Sequence, residues 1–129
     1  MEQFKTIAVN IAVIALISLV LLAVNTQYRQ WSQLSKGEAA EKSGDSIQAM
    51  AGYESAIHLY TPFSPLVTRA AERLWRMAEA AEKRGDKERA LITYRALRSS
   101  FYSTRWLLQP GEEWIRKCDE RIATLITKR

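Results

Sequence analysis

Side chains able to carry out chemistry are scarce in this sequence of 129 residues. There is one histidine, His58, and one cysteine, Cys118. A lone Cys excludes a disulfide framework and a Cys-based zinc site. His58 has no Cys, His or paired carboxylate at ligand spacing. It sits beside an apolar helical stripe and reads as a packing or surface residue. Ser99, Ser100 and Ser103 lie close together, but no histidine in their sequence context would activate them and no Gly-rich elbow presents them. Cys118 lies on an apolar stripe and reads as a small buried hydrophobe. With no phosphate loop either, the sequence predicts a non-enzyme with no cofactor, no metal and no small-molecule substrate.

Charge is the remaining chemical resource. The chain has 19 Lys+Arg against 14 Asp+Glu, a formal net charge of +5. Arg69, Arg73 and Arg76 share a helix face, and Arg84, Arg89, Arg95, Arg98 and Arg105 follow. Three readings compete: a solvated face with Glu72 and Glu79 as intrahelical partners, a surface for anionic lipid headgroups, or one for an acidic partner protein. Nucleic acid is not expected, because no recognised binding motif accompanies the charge.

The elements that hold these residues begin with a sharp division. From Thr6 to Tyr28 no residue is charged, and outside the Met1–Lys5 head every other charge follows Tyr28. Ile7 to Val24 is apolar except for Asn10 and Ser18. As a helix it would span about 27 Å at 1.5 Å per residue, close to the roughly 30 Å hydrocarbon core. Phe4 on one side and Tyr28 and Trp31 on the other stand where aromatic rings anchor a helix at the two interfaces. The head offers only Lys5 and the amino terminus as positive charges before the run, and no small-x-small cleavage site follows it. An uncleaved anchor is therefore expected rather than a signal peptide. Ala8, Ala12, Ala15 and Ala23 form a small-residue stripe that would allow close approach of a partner helix. Asn10 lies opposite, where it reaches another helix or interfacial water.

After the span the apolar period is helical. Ala49, Met50, Tyr53, Ala56, Ile57 and Tyr60 recur at spacings of three and four, as do Leu66, Ala70, Leu74, Met77, Ala78 and Ala81. Ala90, Leu91, Tyr94 and Leu97 make a third stripe. Ile115, Cys118, Ile122 and Leu125 make a fourth after the Pro110-Gly111 break. Nothing alternates with period two over strand length, so the fold class is all-α. The expected organisation is a tail and transmembrane helix over 1–28 and a helical domain over 29–129.

Within that domain, Ala40-Glu41-Lys42-Ser43-Gly44-Asp45 with Ala49 and Tyr53 recurs in register as Ala81-Glu82-Lys83-Arg84-Gly85-Asp86 with Ala90 and Tyr94. Gly permits the conformation that ends one helix, Asp caps the next, and Ala lets the two pack closely. The pattern resembles the tetratricopeptide repeat (TPR), an antiparallel helix pair. Gly37 and Ala56 also fall on family positions, whereas Gln33, Lys36 and Leu97 depart from them. The resemblance implies a small TPR-like helical-hairpin array, with repeats over about 30–62 and 64–102 and a closing helix over 112–127. The spacing is longer than the family's, which places a link at Tyr60–Pro65, where Pro62 and Pro65 oppose helix. Trp106, Leu107, Leu108, Trp114 and Ile115 are expected to cap the stack. Because Asn25–Lys36 holds neither Pro nor Gly, the span is expected to run on into the first repeat helix.

Together the span and repeat imply a single-pass inner-membrane adaptor that docks protein partners or helps assemble a membrane complex. The other class considered is an extracytoplasmic chaperone-like factor or an accessory to an envelope enzyme. Few charges flank the span, so the positive-inside rule is weak here; a short tail before one span suggests that the domain is exported. The run Arg98–Arg105 with Pro110-Gly111 and Trp114 resembles small anchored repeat proteins that accompany Ton/Tol-type proton-driven motors in bacteria.

Overall fold

The computed structural model describes residues 1–61 and 64–127, and these are helical without a strand. Five helices follow one another: α1 (Glu2–Lys42), α2 (Ser46–His58), α3 (Pro65–Lys83), α4 (Lys87–Tyr102) and α5 (Glu112–Thr127). The all-α class matches the sequence expectation. Pro62, assigned to the link, lies outside the described residues, while Pro65 opens α3 at its first turn. There its missing N–H costs nothing and its fixed φ suits the helix.

The two Gly-Asp turns are built alike. Gly44 and Gly85 have φ of 84° and 80°. Asp45 N–H donates to the Ala40 carbonyl and Asp86 N–H to the Ala81 carbonyl, both at 2.9 Å. Gly44 and Gly85 N–H return to the Glu41 and Glu82 carbonyls at 3.1 and 3.0 Å. This pair of bonds satisfies the orphan carbonyls of a helix that stops at a left-handed residue. Each Asp then caps the following helix, Asp45 Oδ1 accepting from Gln48 N–H and Asp86 Oδ1 from Arg89 N–H, both at 3.1 Å. The chain thus reverses twice at the end far from Met1.

α1 packs on α2, α2 on α3, α3 on α4 and α4 on α5. The apolar stripes read from the sequence form one core. Ala49, Tyr53, Ala56 and Ile57 of α2 meet Ala70, Leu74, Ala78 and Ala81 of α3, with Ala90, Tyr94 and Leu97 of α4 and Ile115, Cys118, Ile122 and Leu125 of α5. Glycine sets the closeness of the first pair. A Cβ on Gly52 would lie 2.6 Å from the Gly37 Cα, and one on Gly37 would lie 2.9 Å from the Tyr53 ring. Gly37 is therefore kept in mid-helix because α1 and α2 cross there at backbone distance, which offsets its low helix propensity.

The division between 1–28 and 29–129 leaves no mark on the backbone. α1 is one unbroken helix of 41 residues, about 60 Å long. Only Gln30, Leu34 and Gly37 of it are buried.

Candidate membrane anchor and docking surfaces

The N-terminal half of α1 touches nothing. All residues from Met1 to Asn25 are exposed, including Ala8, Ala12, Ala15 and Ala23, so the small-residue stripe meets no other helix within the chain. This is the one helix among the described residues that is long and apolar enough to cross a membrane. Its bare surface ends where the bundle begins. Gln27 Nε2 donates to Thr61 Oγ1 at 3.0 Å. Gln30 is fully buried, and its Nε2 donates to the Ala56 and Leu59 carbonyls at 2.9 and 3.2 Å while its Oε1 accepts from Ser64 Oγ at 2.7 Å. One amide thus satisfies the open C-terminus of α2 and holds the start of α3. Sequence reasoning missed Gln30. The available signal was its place four and seven residues before Leu34 and Gly37, on the face that the bundle covers.

At the opposite end, the predicted basic face is turned partly towards α1. Arg69 pairs with Glu38 at 2.8 Å. Arg73 is half-buried and close enough to Tyr53 to act on its hydroxyl electrostatically. Arg76 remains exposed and lines a cleft of about 340 Å³ with Met50, Met77, Ala80, Arg84 and Arg89, Glu41 being the acidic member. The three arginines therefore have different surroundings, and only Arg76 borders open space that a ligand side chain could enter.

Both turns place a buried tyrosine beside the glutamate that precedes Gly-Asp. Tyr53 Oη donates to Glu41 Oε2, and burial together with that carboxylate pushes the phenol well above its ordinary range. Forty-one residues on, Tyr94 lies by Glu82 and is pushed up to about 12, chiefly by burial and then by the Glu82 charge. Glu82 is itself held by Arg121 of α5, whose Nε donates at 3.0 Å and whose second nitrogen also bonds the carboxylate. The second hairpin therefore uses its glutamate to fasten the closing helix, a role the repeat alone does not reveal. Trp75 stacks edge-on against Tyr94 at 5.0 Å and near Trp114 at 6.2 Å, with Lys117 over both indoles.

Chemistry-bearing residues do not converge. His58 is exposed at the end of α2. Cys118 is buried, and burial pushes its thiol up to about 12, which keeps it protonated and unreactive. Ser99 and Ser100 donate to the Ala96 carbonyl and Ser103 to the Ser100 carbonyl, spending their hydroxyls on the last turn of α4. Among the described residues no group of three His, Cys, Asp or Glu side chains could hold a metal ion.

The expected cap needs correction. Trp114 and Ile115 do pack on the bundle, but Trp106, Leu107 and Leu108 are 85%, 80% and 84% exposed. The reason is the loop's frame. Gln109 Nε2 donates to the Phe101 and Pro110 carbonyls at 2.8 Å each, and Thr104 Oγ1 to the Phe101 carbonyl at 2.7 Å. Gly111, at φ 73°, lies so close to the Phe101 ring that no Cβ would fit. Both ends of the loop are tied down, and its apolar tip is held outside the core.

Compared with known proteins, the sequence matches no family model, no curated protein and no solved structure.

Proposed function

We propose that this protein is a non-catalytic, single-pass membrane adaptor whose TPR-like helical hairpins dock a partner in a membrane complex. The observation that carries the reading is α1, whose first half is fully exposed and apolar and continues without a break into the bundle. Water tolerates such a surface poorly, at about 25 cal/mol per Å² of apolar area. A bilayer covers it at no such cost, and backbone groups inside a helix need no water. Support for the TPR-like reading comes from the paired turns with their positive-φ Gly, capping Asp and buried Ala. The reading places the bundle outside the cytoplasm, and Ton/Tol-type motors, whose small anchored accessory proteins the Arg98–Arg105 run with Pro110-Gly111 and Trp114 resembles, are complexes of the kind such an adaptor would join.

Partner recognition is assigned to the cleft far from the membrane. Its Met50, Met77 and Ala80 floor and Arg76, Arg84 and Arg89 rim suit a segment that presents an apolar side chain next to an acidic one. The test is co-purification of the full-length chain in mild detergent. A stoichiometric partner is expected to be lost with Arg76→Glu while thermal unfolding stays unchanged, and loosened by Ala12→Leu if the span also packs on the partner. Recovery of the wild-type chain alone and monomeric would overturn the reading.

A further inference from the structure

The direction of each helix places one more surface at the membrane. α1 leaves the apolar segment and runs away from it, α2 returns, α3 runs away, α4 returns and α5 runs away again. Leu59, Tyr60, Thr61 and Ser64 therefore share with the 103–111 loop the end of the bundle from which the anchor emerges. Contacts fix the height. Thr61 and Leu59 are bonded to Gln27 and Gln30 of α1, only three to six residues beyond Val24, about 5–9 Å along the helix. The loop lies beside the end of α2, for His58, Tyr60, Thr104 and Trp106–Pro110 together enclose an open hollow of about 690 Å³.

We propose that the Trp106-Leu107-Leu108 loop is a second, interfacial membrane contact that rests in the leaflet from which α1 emerges; this builds on the reading of α1 as a membrane span. The three side chains are more than three-quarters exposed, and Thr104 and Gln109, which flank them, are both bonded to the Phe101 carbonyl. Exposed apolar tips of this kind mark a surface that is covered in use. The cover at this height is lipid. Apolar side chains in the interface bury about 5–10 Å into the boundary between headgroups and acyl chains, and the segment beside the loop meets α1 only about 5–9 Å beyond Val24. Tyr28 and Trp31, exposed and 6.2 Å apart at the exit of α1, supply the aromatic pair expected at that depth, and Trp106 adds a third ring. Segment 98–111 contains no carboxylate, and its exposed Arg105, with Arg29 on α1, would face phosphate headgroups. Glu112 and Glu113, which follow the loop, stand in the first turn of α5, where the helix dipole favours them. One helix fixes a point of attachment, whereas a helix and a loop together fix the bundle's orientation.

The test uses the full-length chain with Cys118→Ala, reconstituted in phosphatidylcholine/phosphatidylglycerol vesicles. Single cysteines at Leu107, at Leu19 within the span and at Ile47, exposed at the far end, each carry an environment-sensitive fluorophore. The expected result is loss of fluorescence at 107 and 19 with lipids nitroxide-labelled on the acyl chain. Only the label at 47 should be quenched by aqueous iodide. A label at 107 that behaves like the one at 47 overturns the proposal and leaves the span standing. Shelter from iodide without quenching by lipid shows that protein covers the loop, and this also overturns it. If the label at 19 is not reached by lipid nitroxide, the span reading fails and the loop contact fails with it.

Discussion

Gln30 is the most consequential single side chain outside the apolar core. It is fully buried, yet its amide meets the Ala56 and Leu59 carbonyls and Ser64 Oγ, so it joins three groups from two other segments. Gln30→Leu would keep roughly the same volume and remove the partner of the Ala56 carbonyl and of Ser64 Oγ, the Leu59 carbonyl keeping its bond from Thr61 Oγ1, at a cost of about 1–3 kcal/mol. The unfolding midpoint, followed by circular dichroism, should fall by about 4–8 °C for each kcal/mol. An unchanged midpoint would show that water replaces the amide without loss. His58, Cys118 and the three serines, by contrast, occupy ordinary surface, core and helix-end positions, which agrees with their isolation in the sequence.

At the scale of the elements, two kinds of glycine do different work. Gly85 is required by its backbone. It has φ of 80° and open space, nothing within 4 Å, where a side-chain methyl would stand, so Gly85→Ala brings only the left-handed penalty of about 1–2 kcal/mol. Gly52 is required by its neighbour. Its Cβ would meet the Gly37 backbone, which cannot rotate away, so Gly52→Ala must push α1 off α2, with overpacking costs of about 1–3 kcal/mol. The two variants separate by hydrogen exchange. Gly52→Ala should expose amides of α1 from Gln30 to Lys42 as well as of α2, whereas Gly85→Ala should affect α3 and α4. Equal loss of protection in both hairpins from either change would show that the bundle opens only as a whole.

The whole molecule is a bundle closed by α5 and carried on a continuous helix, and its closure is sensitive to alkali. Tyr94 is pushed up to about 12 from 10.0 by burial and Glu82, and Cys118 up to about 12 from 9.0 by burial. Both keep their protons when folded at a pH where the unfolded chain has released them. The unfolded state then binds fewer protons, so stability is whole below pH 9 and falls as pH rises. Loss should begin near pH 9 through Cys118 and steepen above pH 10 through Tyr94 and Tyr53, whose phenol is also pushed up by burial, by about 1.4 kcal/mol per pH unit for each group. Cys118→Ala should move the onset up towards pH 10. A midpoint that stays flat to pH 11 would contradict the burial of these groups.

The sequence by itself determined the apolar helix, the all-α class, the four core stripes and the two Gly-Asp turns. Each rests on local information: a run of uncharged residues, a period of three and four, or a residue type that one backbone conformation demands. What only the tertiary structure decided depends on which segments meet. Gln30 acquired its role from the end of α2, Gly37 and Gly52 from each other, and Glu82 from Arg121 on a helix far along the chain. Arg69, Arg73 and Arg76 form one stripe on a helical wheel, yet the fold surrounds them differently, with Glu38 of α1 at Arg69, Tyr53 of α2 near Arg73 and an open cleft at Arg76. Trp106, Leu107 and Leu108 look like core in a linear reading, because hydrophobicity signals burial without saying in what. The hydrogen bonds at Phe101 and the crowding at Gly111 hold them outside the bundle, at the end where α1 emerges.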